Sequence, residues 1–404
     1  MPVNDLEFPS LSEAGQSEFF ALLSRYRLTL FERLVSRLFS TIGAPGEAEL
    51  DAMTARYLEQ LLSGDSLPKS FVRAHIDNWA TIQLLQQAAN PGLASVNRAR
   101  LFDELARTIR DRATDQVAMP ARPPDVGTIQ VDQPGLRIAF DAARFGVRSV
   151  CGNAKQEQDF ARQLARASAI ITRTAPEIAD WIQVIVPLVC WLGPCASDGT
   201  SRSESYAPGG PIFLSSTTGD WELAENLVHE TQHHRFHLWA LSEPFASITS
   251  GKAEFVSPWR RDIRPLYGLH LGLHAFLLVN TLRLRFGLAT TPTLLDRFAQ
   301  THASNLFAFR TIVSFDSPTQ QGRDYLLTCA HALSEHDIEM DRLDGAAKVD
   351  AVLDRLGAHC ERGQREFPGL RNASAEFRNR ESIIALTKSL KDFHDEDSRL
   401  PLSR

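Results

Sequence analysis

No stretch of this chain is both apolar enough and long enough to cross a bilayer. The longest strongly apolar run, residues 181–192, is twelve residues and carries Gln183, whereas a helical span takes roughly twenty. A secretory signal is lacking too: MPVNDLEFPS has no basic segment followed by an apolar one, so the chain reads as one that is not exported. Cysteine is scarce. Cys151, Cys190, Cys195, Cys329 and Cys360 are odd in number and scattered, which argues against a disulfide framework and suits reduced thiols in the cytoplasm. Cys190 and Cys195 are the nearest pair, but no second pair completes a zinc site, so they read as structural. Positive charge is not in excess, since 43 Lys and Arg against 49 Asp and Glu leave a net charge of −6. Nucleic-acid binding by bulk charge is thereby excluded, while a local basic pocket stays open.

What is present is an ordinary globular composition, 43% hydrophobic and 23% charged, which excludes wholesale disorder. At roughly 150 residues per domain, a chain of 404 suggests two or three domains, large enough to bury a core without disulfides or structural metal. Residues 1–115 read as an N-terminal helical region: Phe19, Leu23, Tyr26, Leu30 and Leu34 recur at helical spacing, and similar patterns follow at 48–63, 70–89 and 95–112. No unusual polar cluster marks them, so packing or docking is their expected role. Residues 116–150 read as a linker and hairpin. Pro120, Pro123 and Pro124 rule out a continuous helix, and TIQV, DQPG and LRIAF give strand, turn and strand.

Residues 151–404 are expected to form a metal-binding core with C-terminal helices. A helix over 155–175 shows Phe160, Leu164, Ala167 and Ile171 on one face and stops at Pro176. Residues 182–192 read as a buried strand despite Pro187. After a polar loop, residues 212–215 form a short strand, and Pro211 at its start suggests a sheet edge that an extended peptide could join. Asp220 is placed to cap a helix that starts at Trp221.

That helix carries Val228-His229-Glu230-Thr231-Gln232-His233. Imidazoles four residues apart lie one turn apart on one helix face and can bind the same metal ion, with Glu230 beside the first. His237, four further on, extends the face and is expected behind the ligands or at the surface. Two ligands do not complete a site. Glu254 follows His233 by 21 residues, a peptidase-like spacing, but it sits in a loop pattern. His270 and His274 share a face of the apolar helix expected over 266–282, and His270 is the first choice for third ligand, with His274 the alternative. Asp262 is the candidate for the carboxylate of a two-His-one-carboxylate triad. Between the helices lies Ser257-Pro-Trp-Arg-Arg-Asp-Ile-Arg-Pro265, whose arginines suit bidentate recognition of a carboxylate.

The HETQH helix, SPWRRDIRP about 25 residues later and the apolar helix GLHLGLHAF together resemble the HExxH-type peptide-modification proteins found near precursors of ribosomally made peptide natural products. The likeness covers roughly residues 205–285. It implies an iron(II)- and 2-oxoglutarate-dependent hydroxylase that uses dioxygen on a side-chain β-carbon of a precursor peptide. In that likeness His229 and His233 hold iron, and Arg260, Asp262 and Arg264 match the second motif as cosubstrate-binding residues. The third ligand is not carried over. Two classes therefore compete. A zinc metallopeptidase would use Glu230 as general base, whereas an oxygenase would use it to accept a hydrogen bond and orient a ligand or water. The arginine cluster and the missing third zinc ligand favour the oxygenase. The expected architecture is α+β and predominantly helical: the N-terminal helical region, then a zincin-like core with a small sheet and the HExxH helix. Neither a nucleic-acid nor a membrane partner is expected.

Overall fold

The structure is a computed structural model of the chain. It describes residues 84–85, 87–88, 100–107, 130–131, 154–186, 188–194, 203–205, 212–242, 254–260, 262–287, 291–315, 319–366, 369–371, 380 and 383–385. Of the expected N-terminal helices, those over 17–63 lie outside the described residues. The described residues at 84–88 and 100–107 are helical, with Leu84, Leu85, Leu101, Phe102 and Leu105 buried. The expected domain boundary over 116–150 also falls outside them, apart from Gln130 and Val131.

By packing, the described residues up to Ile170 and Ala179–Leu227 form one compact unit, while Ile171–Ile178 and the residues from Val228 onward form another. In the first, helix α1 (Ala154–Thr174) buries Phe160, Leu164 and Ala167, the apolar stripe legible in the sequence. Helix α2 (Pro176–Ile185) starts on the proline that closes α1, at a position where its missing N–H costs nothing. Residues 182–185 are therefore helical, contrary to the strand expected there. A short Ile- and Val-rich run does not distinguish a buried strand from a buried helix, and only after Pro187 does the chain extend, as β2 (Leu188–Trp191).

The sheet has the order β1-β2-β4-β3. Here β1 is Gln130–Val131, β3 is Ser203–Ser205 and β4 is Ile212–Leu214. β1 and β4 pair with β2 in parallel, and β3 pairs with β4 antiparallel, Ser203 opposite Leu214. Two expectations are corrected. The TIQV strand pairs in parallel with β2 rather than solely within a local hairpin, whose second arm lies outside the described residues. Nor is β4 an edge: β2 and β3 flank it, so its ladder is occupied on both sides and no peptide can add there. Pro211 precedes the first paired residue, where its lack of an N–H removes no ladder bond. Val189, Cys190 and Trp191 in β2 and all three residues of β4 are buried, as befits strands covered on both faces. Trp191 stacks on Phe160 at 6.0 Å and donates to Ser216 Oγ at 3.1 Å. Gln163 donates to the Thr217 carbonyl at 2.9 Å, and Arg166 pairs with Asp220 at 2.6 Å. Asp220 is itself the first residue of helix α3 (Asp220–Ser242), one earlier than expected.

In the second unit, a two-stranded hairpin of β5 (Phe255–Val256) and β6 (Ile263–Arg264) leads into α4 (Leu266–Phe286), α5 (Pro292–Phe315), α6 (Gln320–Arg342) and α7 (Ala346–Glu366). α5 packs against α4, α6 and α7, and α4 also meets α6. Phe236, Leu273, Leu277, Phe298, Leu306, Phe309, Tyr325 and Leu333 belong to the shared apolar core. α4 ends at Gly287, whose φ of 93° and N–H bond to the Leu284 carbonyl make a left-handed cap that a side chain would strain. The described residues are thus predominantly helical with a small sheet, and no helix among them is long and apolar enough to cross a membrane. Cys190, Cys329 and Cys360 are free and buried.

Two fully buried histidines stand in this core. His302 Nε2 donates to Asp337 Oδ1 at 3.3 Å. Burial alone would raise the Asp337 carboxyl, but hydrogen bonds from His302 and Arg380 hold it below the ordinary carboxylate range. Thr281 commits its hydroxyl proton to the Leu277 carbonyl, so His336 Nε2 donates to Thr281 Oγ1, at 3.2 Å. Burial lowers His302 even against its carboxylate partner, and it lowers His336 far more. With folded values below the unfolded one of about 6.5, both are neutral when folded, and stability is complete above that pH. As pH falls below it the unfolded chain gains protons that the folded one refuses, at up to about 1.4 kcal/mol per pH unit for each histidine. Urea midpoints measured from pH 8 to 4.5 are expected to hold level above 6.5 and fall steadily below it. His336→Gln is expected to flatten the fall.

Candidate metal centre

α3 places the motif in the second unit, where the helix is hemmed in on nearly every side. Glu230, Thr231, Gln232, His234 and Arg235 are all buried, although buried polar side chains are costly unless satisfied. The His229 and His233 rings stand 4.4 Å apart, edge to face. One donor atom from each of His229, Glu230 and His233 lies within 4.8 Å of the others. His233 keeps partial access to solvent. His233 Nδ1 is buried and takes no hydrogen bond among the described residues.

Burial drives His229 down to about 3, and the charges of Arg260, Arg264 and Arg283 push in the same direction. His233 falls well below its ordinary value through burial and then through His229, His237, His234 and His274. At neutral pH both rings are therefore uncharged and offer lone pairs, as metal ligation requires. The donor chemistry fits a divalent ion: two uncharged imidazoles from one helix face suit zinc or iron and leave positions open, with the Glu230 carboxylate beside them. Three guanidinium charges felt at His229 also oppose a bare cation and favour an anion bound with it.

Arg283 comes from α4, while the hairpin that brings Arg260 and Arg264 is pinned by Trp259. Its indole N–H donates to Asn305 Oδ1 on α5 at 3.1 Å, and its ring stacks on Phe276 of α4, 5.3 Å away at 17°. A Cβ on Gly272 would meet that ring at 2.5 Å, so α4 must carry a glycine where the indole lies down. The Phe276 ring in turn lies 4.5 Å from that of His229. Within the loop, Ser257 N–H bonds to the Asp262 carbonyl at 2.9 Å, and Ser304 Oγ donates to the Pro258 carbonyl at 3.2 Å.

The remaining candidates fall in different places. Asp262 is half-exposed and chelates Arg264, accepting from Nη2 at 2.9 Å. Burial alone would raise its carboxyl, but the Arg264 hydrogen bond holds it below the usual value. Arg260 is exposed. Glu254 pairs with Arg371 at 3.3 Å. His237 bonds through Nδ1 to the Tyr267 hydroxyl at 2.5 Å and is lowered to about 4 by burial. Both α4 histidines are buried against Phe236, with ring centroids 6.4 Å away for His270 and 5.4 Å for His274. Neither shares the close group of His229, Glu230 and His233 among the described residues. Of the two, His274 is the one felt electrostatically at His233, after His229, His237 and His234. Sequence reasoning passed over Trp259, Gly272, Phe276 and Arg283. An arginine inside an apolar helix pattern was the one available signal, since such a residue is seldom buried without a purpose.

No family model matches the chain, and no curated protein matches it. The ligand set can be tested by metal analysis and competitive chelation. The protein is expected to bind about one divalent ion per chain, and His229→Ala or His233→Ala to abolish tight binding. Loss of a supporting imidazole typically costs about ten- to a hundredfold in affinity. His274→Ala is expected to show a loss of that size and His270→Ala a smaller one. The reverse order would assign the position to His270.

Proposed function

We propose that the chain hydroxylates a side-chain β-carbon of a ribosomally made peptide, with iron(II), 2-oxoglutarate and dioxygen. The observation that carries this reading is a pair of neutral imidazoles beside a buried carboxylate, in the positive field of Arg260, Arg264 and Arg283. The same field favours an acidic cosubstrate held next to the ion. The resemblance of HETQH, SPWRRDIRP and GLHLGLHAF to peptide-modification proteins supports the same reading, and so does a predominantly helical chain with a small sheet, the setting expected of a zincin-like core.

When bound, the metal supplies activation of dioxygen, with 2-oxoglutarate as the reductant that leaves as succinate and carbon dioxide. His229 and His233 hold the ion through uncharged rings. Glu230, buried beside them, accepts a hydrogen bond and orients a bound water or ligand. The arginine groups offset the cosubstrate's negative charge, and Asp262 fixes the plane of Arg264. Phe276 lies 4.5 Å from the His229 ring, and Trp259 stacked on it makes this side of the centre aromatic.

The test supplies candidate precursor peptides with iron(II), ascorbate and oxygen, with and without 2-oxoglutarate, and reads products by mass. A gain of one oxygen atom that requires 2-oxoglutarate is expected. Glu230→Gln should slow it only mildly, because no proton abstraction rests on that carboxylate. Peptide cleavage that needs zinc and ignores 2-oxoglutarate would replace this reading with a metallopeptidase.

A further inference from the structure

Gln232 is the anomaly of the metal helix. It is fully buried, 0% exposed, and neither its amide nitrogen nor its amide oxygen has a hydrogen-bond partner. Among the described residues it is the one buried carboxamide with both ends orphaned. Asn305, by contrast, accepts from the Trp259 indole, and Gln163 bonds to Thr217. A wholly unsatisfied buried amide destabilises a fold, so its presence inside the HETQH motif calls for an explanation.

Its place on the helix gives the orphaned groups a use. Residues three apart on a helix are neighbours, so Gln232 stands beside His229, one turn back. The described contacts of the His229 ring are aromatic, with His233 at 4.4 Å and Phe276 at 4.5 Å. An imidazole that binds a metal through one nitrogen is ordinarily held by a hydrogen bond from the N–H of the other, which fixes its tautomer and orientation. Phe276 offers that N–H no oxygen. Glu225, one turn to the other side of His229, receives the Trp221 indole N–H at 2.9 Å. His233 follows Gln232 directly in sequence, but adjacent residues on a helix do not face each other.

We propose that Gln232 is a positioning residue of the metal centre: its Oε1 accepts the N–H of His229 while the other ring nitrogen holds the ion. Either end of the amide can be presented to the ring by a half-turn of its last torsion. The free chain bears an unsatisfied amide, and metal binding relieves it by fixing the ring in the tautomer that needs an acceptor. The inference rests on the metal centre of the hydroxylase reading and not on the reaction, so it holds for zinc as for iron.

The experiment titrates the full chain with zinc against a competing chelator and measures melting without metal in parallel. Gln232→Met keeps the length of the side chain and removes its polar atoms. It should melt about 1–3 °C higher than wild type without metal, yet bind zinc about ten- to a hundredfold more weakly. Gln232→Glu keeps an acceptor oxygen and should bind zinc at least as tightly as wild type, although its buried carboxylate lowers the melting temperature without metal. Stability and affinity thus move in opposite directions in both variants, which a packing role would not produce. In zinc-loaded wild type, NMR of the labelled histidines should show one ring N–H of His229 protected from exchange with solvent. Zinc affinity unchanged in Gln232→Met, or lost equally in both variants, overturns the assignment and leaves the metal centre and the hydroxylase reading standing. Where Gln232→Met does not fold, a His229 ring N–H that exchanges freely in zinc-loaded wild type overturns it. If wild type binds no zinc, the centre falls and the assignment with it.

Discussion

The seating of Trp259 on Gly272 is the contact from which the rest of the site follows. The indole lies where any Cβ would collide with it, and its N–H is tied to Asn305 on the next helix. The loop between β5 and β6 would otherwise be held by the Ser304–Pro258 bond and a hairpin of two residues per strand, which is marginal in isolation. With the indole docked, the loop is fastened to α4 and α5 together. Phe276, sandwiched against the indole, is thereby held against His229. One aromatic contact thus links the arginine hairpin, the apolar helix and the metal helix.

The second constraint is electrostatic. The motif's histidines sit where charge is disfavoured by burial and by nearby guanidinium groups, so they stay neutral and ready for a metal at physiological pH. The same surroundings are unfavourable to a lone divalent ion. An arrangement that lowers imidazole basicity and repels cations is costly as pure scaffold, but it becomes coherent when the ion arrives with a dianionic partner. The histidines of the core at 302 and 336 obey the same burial rule without gathering a carboxylate and a second imidazole around one point. They read as part of the packing, where the cost of burial appears as acid sensitivity.

Much of this was legible in the sequence because it depends on periodicity. The stripe of α1 and the shared face of His229 and His233 follow from 3.6 residues per turn, and α4 starts at Leu266 as expected but runs four residues further, to Phe286. The failures have physical causes. Residues 182–185 are apolar apart from Gln183, too short a run for spacing to separate strand from helix, and Pro176 as a ready first-turn residue favours the helix. β4 looked like an edge because Pro211 precedes it, yet a proline one step outside the ladder imposes no such limit. Glu230, read from the sequence as sitting beside the first imidazole, belongs to the same close group as both.

The central claim is that one metal ion sits between His229 and His233 on α3. Anomalous diffraction from iron-loaded crystals, collected on both sides of the iron absorption edge, tests it most directly. The account predicts one strong peak, about 2.0–2.1 Å from a nitrogen of each ring, the usual metal–imidazole distance, and its disappearance in His229→Ala. A peak at His302 and His336, or none on α3 in a fully loaded crystal, would contradict it.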